Sequence, residues 1–255
     1  VPKEKWFPNG LGPLVAHAHK KGLLFGVYAE PEGGRGDWTQ TKTFQEHPEW
    51  FVPRSQDFPG PNFLNISVPE AAAYMESELT QIIERHNIDI YLHDQNGCFG
   101  NEGSVTRRHG FIENDYWRHY EAFYEISERI HKKYPDLILQ QDSGGGSRLE
   151  LATLARWHEN YASDRVSYPY VYQMLSGLSV YLPPEVLVVP HGMNGPNQPD
   201  FVTMLRGAYT LGNTPMLFNA MLPKSVEEFK PGVREKFLHY FKIYKTFIRP
   251  LLPTC

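Results

Sequence analysis

The chain has 255 residues, with 25 Lys and Arg against 29 Asp and Glu, and its formal charge of −4 offers no basic field to hold nucleic acid. Hydrophobic residues make up 41% and charged residues 21%, and no run approaches the roughly 18 apolar residues that span a bilayer, so the chain reads as soluble with no membrane partner. Only two cysteines, Cys98 and Cys255, exclude a disulfide scaffold and a Cys-rich zinc site.

The first ten residues carry no Met start and no signal-type apolar stretch, which predicts the interior of a longer protein and leaves secreted and periplasmic locations open. Leu11, Leu14, Val15 and Ala18 then recur at helical spacing up to Gly22, and Leu23–Tyr28 reads as a strand buried on both faces. The same pairing repeats down the chain. A helix over Pro69–His86 precedes the strand Ile88–Leu92, and one over Asp115–Tyr134 precedes Leu137–Leu139. A shorter helix, Leu149–Trp157, leads to a weak strand at Asn160–Ala162. Val171–Val180 leads to Val186–Val189, and Phe201–Leu211 to Met216–Phe218; a last helix covers Val226–Phe247.

Six helix–strand alternations predict a parallel sheet with helical crossovers. Five of the six strands end in reactive groups: Glu30 and Glu32, His93 and Asp94, Gln141 and Asp142, Ser163 and Asp164, and His191. A barrel gathers such ends at one mouth, whereas a doubly wound sheet concentrates them at one switch point. The expectation is therefore a (β/α)8 TIM-barrel type of α/β fold, incomplete at its N-terminus. Residues 1–255 would be one catalytic domain supplying strands 3–8, within a longer chain.

Asp94, at a strand's carboxyl end, has the chemistry of a nucleophile, a base, a metal ligand or a cap. Asp164 has a similar place two strands later and the same capping alternative. Two carboxylates on strand ends suit acetal chemistry, because one must meet the anomeric carbon while the other gives a proton to the leaving oxygen. Asp142-Ser143-Gly144-Gly145-Gly146-Ser147-Arg148 allows close backbone approach to a ligand and adds a guanidinium, or is a turn ahead of a helix. It matches no phosphate-loop pattern. His93 and His191 would be the start of a metal site, but neither His-x-His after a first strand nor His-Glu-x-x-His occurs, and no metal or cofactor is expected.

The order of motifs resembles the α-galactosidases (melibiases) of glycoside hydrolase family 36 and clan D. Phe25-Gly26-Val27-Tyr28-Ala29-Glu30-Pro31-Glu32 is similar to the family's Phe-Gly-Leu-Trp-x-Glu-Pro-Glu, and His47-Pro48-Glu49-Trp50 to its His-Pro-Asp-Trp. Ile88 to Asn96 falls on Ile-Asp-Tyr-Ile-Lys-Trp-Asp-x-Asn, Asp142 through Arg148 on the family's Cys-led Gly-Gly-Gly-x-Arg turn, and Ser163-Asp164 on a Ser-Asp pair. The resemblance implies Asp94 as nucleophile and Asp164 as acid/base of a retaining α-glycosidase without cofactor. It also implies substrate contacts from Glu30, His93, Asn96, Asp142, Gly145, Arg148 and His191, and an oligosaccharide or glycoside as the partner. Oligomeric state is left open. The chain departs from the pattern at several positions: Leu92 replaces a sugar-binding Lys, His93 a Trp and Asp142 a Cys, and Arg165-Val166-Ser167 follows Ser-Asp where the family has Asn-Thr-Asp. These changes shift the expected substrate away from plain α-galactosides. They also support a rival reading, a catalytically impaired carbohydrate-binding barrel.

Overall fold

The computed structural model describes residues 5–34, 37–52, 63–97, 105–164, 169–191, 202–203, 206–207, 214–217 and 229–254. They divide into two compact units, one of residues 1–140 with 150–157 and the other of residues 141–149 with 158–255.

The first unit opens with α1 (Gly12–Lys20), which has Pro13 in its first turn and ends before Gly22, where φ is 70°. Strand β1 (Gly26–Ala29) begins three residues later than the apolar run suggests, leaving Leu23 and Leu24 exposed. The reason is the partner strand. Pairing with β2 (Ile90–His93) is parallel and starts at Gly26↔Ile90. Just before it, the Asp89 carboxylate accepts from the Phe25 N–H at 2.7 Å and from His19 Nε2 at 2.7 Å. That carboxylate fixes the register one step ahead of the first ladder pair.

Between these strands lie a short helix α2 (Lys42–Glu46) and α3 (Pro69–His86). Helix α3 starts on Pro69, stops at Asn87 in the left-handed region, and buries Ala71, Met75, Leu79 and Ile83, a stripe at four-residue spacing. Helix α4 (Asp115–Lys133) is capped by Asn114, whose side chain accepts from the Tyr116 N–H at 2.8 Å. Its Phe123, Ile126 and Ile130 meet the α3 stripe and Tyr91, Leu139 and Trp157 in one core. Strand β5 (Ile138–Gln141) joins β2, with the Ile138 N–H donating to the Asp89 carbonyl at 2.9 Å.

The polar stretch after β2 contains a hairpin that the sequence pattern does not announce: β3 (Val105–Arg108) and β4 (Phe111–Asn114) pair antiparallel. Its two-residue turn, His109-Gly110, has φ of 49° and 85°, the mirror-image geometry that suits hairpins. Asn-Gly is the usual signature there, and His-Gly hides it. The helix expected over Leu149–Trp157 shrinks to Leu151–Leu154, because the Arg156 and Trp157 N–H groups both turn back to the Thr153 carbonyl. The tightened end lets Trp157 stack on Phe123, centroids 5.7 Å apart.

In the second unit β6 (Glu159–Tyr161), β7 (Leu187–His191) and β8 (Thr214–Leu217) pair parallel in that order. A helix over Tyr170–Leu178 buries Val171 and Leu175 on one face. The last helix runs Pro231–Ile243, after which the turns change to π and then 3-10 geometry up to Thr254. It is shorter than the expected Val226–Phe247, part of which lies outside the described residues, as does most of Phe201–Leu211. Among the described residues no helix is long and apolar enough to cross a membrane.

One polar cluster sits inside the first unit's core. The fully buried Glu32 carboxylate accepts from His93 Nε2 and His119 Nε2, each at 2.5 Å, and Tyr91 Oη meets His93 Nδ1 at 2.9 Å. His93 therefore differs from its expected place as a substrate contact. Side chains alternate along a strand, so Tyr91 and His93 face the helices while Leu92 and Asp94 face the other way. His93 is 1% exposed and packs edge-on to Phe123 and Trp157. The Tyr91 phenol is pushed well above the ordinary range, first by burial and then by the Glu32 charge, so it stays a neutral donor to His93. The cluster ties the segment after β1 to β2 and α4. Removing one member of such a buried set leaves the others uncompensated, so Glu32→Ala is expected to lower unfolding free energy by about 3–5 kcal/mol in urea denaturation, with Glu32→Gln milder.

Candidate active site

At the carboxyl end of β1 and β2 the chain presents a group of polar side chains on the face away from the helices. The ladder extends one step past its last pair, with the Asp94 N–H donating to the Ala29 carbonyl at 3.0 Å. This places the Asp94 side chain beside that of Tyr28, whose strand partner is Leu92. Asp94 is 4% exposed. Its Oδ2 accepts from Tyr28 Oη at 2.6 Å and from Asn96 Nδ2 at 2.6 Å, and its Oδ1 from the Gln95 N–H at 2.7 Å. Asn96 is held in turn, its N–H donating to the Gly33 carbonyl at 2.9 Å.

Glu30 joins the same group through the Tyr28 hydroxyl, which also bonds Glu30 Oε1. Room for the Glu30 carboxylate exists because Gly34 has no side chain; a Cβ there would occupy the position of Oε2. The Tyr28 phenol is raised well above its ordinary pKa, by burial first and then by hydrogen bonds to Asp94 and Glu30. It acts here as a neutral donor. Of the residues singled out from sequence, the structure thus brings together Glu30, Asp94 and Asn96, and adds Tyr28 as the atom that links them. Tyr28 stands where the resembling family has Trp, and that replacement of an indole by a phenol was the available signal.

The second unit assembles another set. Backbone φ values of 59°, 60°, 80° and 91° at Ser143, Gly144, Gly145 and Gly146 form a left-handed run that glycine adopts at little cost. Asp142 caps it, its Oδ1 accepting from the Gly145 N–H at 2.9 Å. A Cβ on Gly145 would lie 2.8 Å from Cγ and Oδ2 of Asp164, and one on Gly146 would collide with the Ala162 carbonyl. The glycines therefore exist to let this turn close against the end of β6, where the Asp164 carboxylate is exposed. Arg148 is 1% exposed, and its carbonyl accepts from Asn160 Nδ2 at 2.9 Å, fastening the turn to β6. His191 ends β7, paired with Leu217; its side chain lies outside what is described.

Proteins of known identity are similar to this chain in sequence and in fold. An α-galactosidase of Escherichia coli is 26% identical over 192 residues, 72% of this chain and 25% of that protein. Alpha-galactosidase 2 of Pediococcus pentosaceus is 26% identical over 253 residues, 95% of this chain and 34% of that one. Among solved structures, the family 36 α-galactosidase AgaB of Geobacillus stearothermophilus superposes with a TM-score of 0.78 at 16% identity, covering 97% of this chain and 35% of its own. The fold is accordingly the TIM barrel of that group, and the chain spans about a quarter to a third of the relatives it matches. A family model described as Melibiase matches residues 1–205, and the chain belongs to that family.

Proposed function

We propose that this protein hydrolyses α-linked glycosides with retention of configuration, Asp94 serving as nucleophile and Asp164 as acid/base. The observation that carries the reading is the fixing of Asp94 at the end of β2 by Tyr28, Gln95 and Asn96. A carboxylate presented in one rotamer needs no reorganisation before attack. Counted against the eight strands of the family barrel, residues 1–255 supply strands 3–8.

In the first step an Asp94 oxygen bonds the anomeric carbon. The bond to the aglycone breaks, its electron pair leaves on the glycosidic oxygen, and that oxygen takes the proton of Asp164. In the second step water attacks the same carbon, gives a proton to Asp164, and the electron pair returns to Asp94. Gly145 supports the second role, since its bare Cα leaves the Asp164 carboxylate free to approach the turn. Structures of the Geobacillus stearothermophilus α-galactosidase AgaA hold raffinose and stachyose, and an oligosaccharide ending in an α-linked sugar is the substrate class we assign here. We assign Glu30, Asn96, Asp142, Gly145, Arg148 and His191 as further substrate contacts, supported by the Tyr28 hydroxyl that joins Glu30 to Asp94 and by the close approach of Gly145 to Asp164.

Asp94→Gly is expected to lower hydrolysis of an aryl α-glycoside by about a thousandfold or more. Azide should restore part of it and release the β-glycosyl azide. Asp164→Asn should keep its kcat/KM on dinitrophenyl glycosides, whose leaving group needs no proton, but turn over slowly because the attacking water loses its base, and it should lose both on natural oligosaccharides. NMR of the first-formed sugar gives the configuration; an inverted product contradicts the mechanism.

Specificity follows from Leu92, which lies on the same face of β2 as Asp94 and offers no hydrogen bond. A Lys there would donate charge-assisted bonds to sugar hydroxyls, each worth about 1.5–3 kcal/mol. Asp142, spent partly on capping Gly145, does not replace a donor. The expected kcat/KM on p-nitrophenyl α-galactoside is below about 10⁴ M⁻¹s⁻¹, the lower end of the ordinary enzyme range. Leu92→Lys should raise it, and efficient wild-type hydrolysis would contradict the inference.

A further inference from the structure

Tyr28 carries one phenolic proton and has two carboxylates within hydrogen-bonding reach, Asp94 Oδ2 at 2.6 Å and Glu30 Oε1. A single O–H donates to one acceptor at a time in full strength. The ring is 51% exposed on the face shared with Asp94, so turning the hydroxyl from one acceptor to the other requires rotation about one C–O bond and no repacking. We propose that Tyr28 is a positioning residue that bonds Asp94 while its carboxylate is free and turns to Glu30 while Asp94 is esterified, so that it assists the second chemical step. The inference rests on the retaining reading above.

The direction of the effect comes from where charge sits. In the free enzyme Asp94 is the attacking carboxylate, and its bond to Tyr28 weakens as the new bond to the anomeric carbon takes up the charge. Once the ester has formed, its oxygens are poorer acceptors and the phenol turns to the Glu30 carboxylate. When water attacks, the bond between the anomeric carbon and Asp94 breaks, the pair returns to the carboxylate, and water's proton goes to Asp164. Charge reappears at Asp94 Oδ2 with Tyr28 and Asn96 already beside it. A donor that is stronger toward the transition state than toward the ester accelerates that step, whereas one that is stronger toward the starting carboxylate does not accelerate the first. The phenol keeps its proton: in the unesterified protein burial and the hydrogen bonds to Asp94 and Glu30 raise its pKa, and Glu30 stays beside it when Asp94 is esterified. A tyrosine that merely fills space or braces the strand would affect both steps alike.

Tyr28→Phe keeps the ring and removes the hydroxyl. Stopped-flow kinetics of the full chain on dinitrophenyl α-glycosides should show kcat reduced about 10–100-fold, the effect of one lost charge-assisted bond. KM should fall in parallel, kcat/KM should stay near wild type, and a burst of one dinitrophenol per site should mark an accumulating glycosyl-enzyme. Equal losses in kcat and kcat/KM without a burst, or no change in either, overturn the assignment. The wild type and Asp94→Gly serve as the parallel controls. If wild type hydrolyses with retention and azide rescues Asp94→Gly, a negative result at Tyr28 counts against Tyr28 alone. If wild type hydrolyses no α-glycoside, or azide rescue fails, the retaining reading falls and this inference falls with it.

Discussion

The parallel pairing of β1 with β2, from Gly26↔Ile90 to Ala29↔His93, is the constraint on which the first unit's chemistry depends. A strand's period of two sends Tyr91 and His93 into the helix layer and Leu92 and Asp94 to the opposite face. A shift of one residue would exchange the two sets. It would bury the Asp94 carboxylate among Phe123 and Trp157 and put the His93 imidazole beside Tyr28. Two carboxylates guard the register from either end: Asp89 holds Phe25 and His19 ahead of the first pair, and Glu32 holds His93 and His119 beyond the last.

The buried Glu32 cluster and the exposed Tyr28 group gather on the two faces that His93 and Asp94 present from β2, and because β1 ends at Ala29 the residues after it need not share a face. Glu30 and Glu32 are separated by a single residue, yet one ends beside Tyr28 and the other inside the core between two histidines. Buried charge is tolerated there because each carboxylate oxygen has an imidazole donor. The second unit solves a different problem. Its left-handed run at 143–146 is a backbone strain that only a glycine-rich segment accepts, and what it gains is contact between the turn and Asp164.

Much of this was legible in the sequence, for definite reasons. Helices α3 and α4 were readable because their apolar residues repeat at four-residue spacing and because Pro69, Asn87 and Asn114 mark their ends. The carboxylates at strand ends were readable because a short apolar run followed by Asp is a local pattern. What stayed hidden depends on pairing or on three dimensions. The start of β1 is set by Asp89, distant in sequence, and the hairpin turn uses His109-Gly110 where Asn-Gly would have announced it. His93 looked like a site residue because it adjoins Asp94, and adjacency along a strand means opposite faces. Tyr28 read as one more apolar strand residue; its replacement of a family Trp was the one local signal, and that its hydroxyl meets Asp94 and Glu30 depends on the pairing of two strands.

The chain belongs to the melibiase family, and Tyr28 and Leu92 stand on the Asp94 face of the sheet where the resembling family has Trp and Lys. The claim at the centre is that Asp94 forms a covalent bond to sugar. It is tested most directly by incubating the full chain with a set of 5-fluoro-α-glycosyl fluorides and mapping the label by peptide mass spectrometry. The account predicts a gain of one fluoroglycosyl group on the peptide containing Asp94, absent in Asp94→Asn. A label on another residue, or turnover of the same reagents with inverted product and no label, would contradict it.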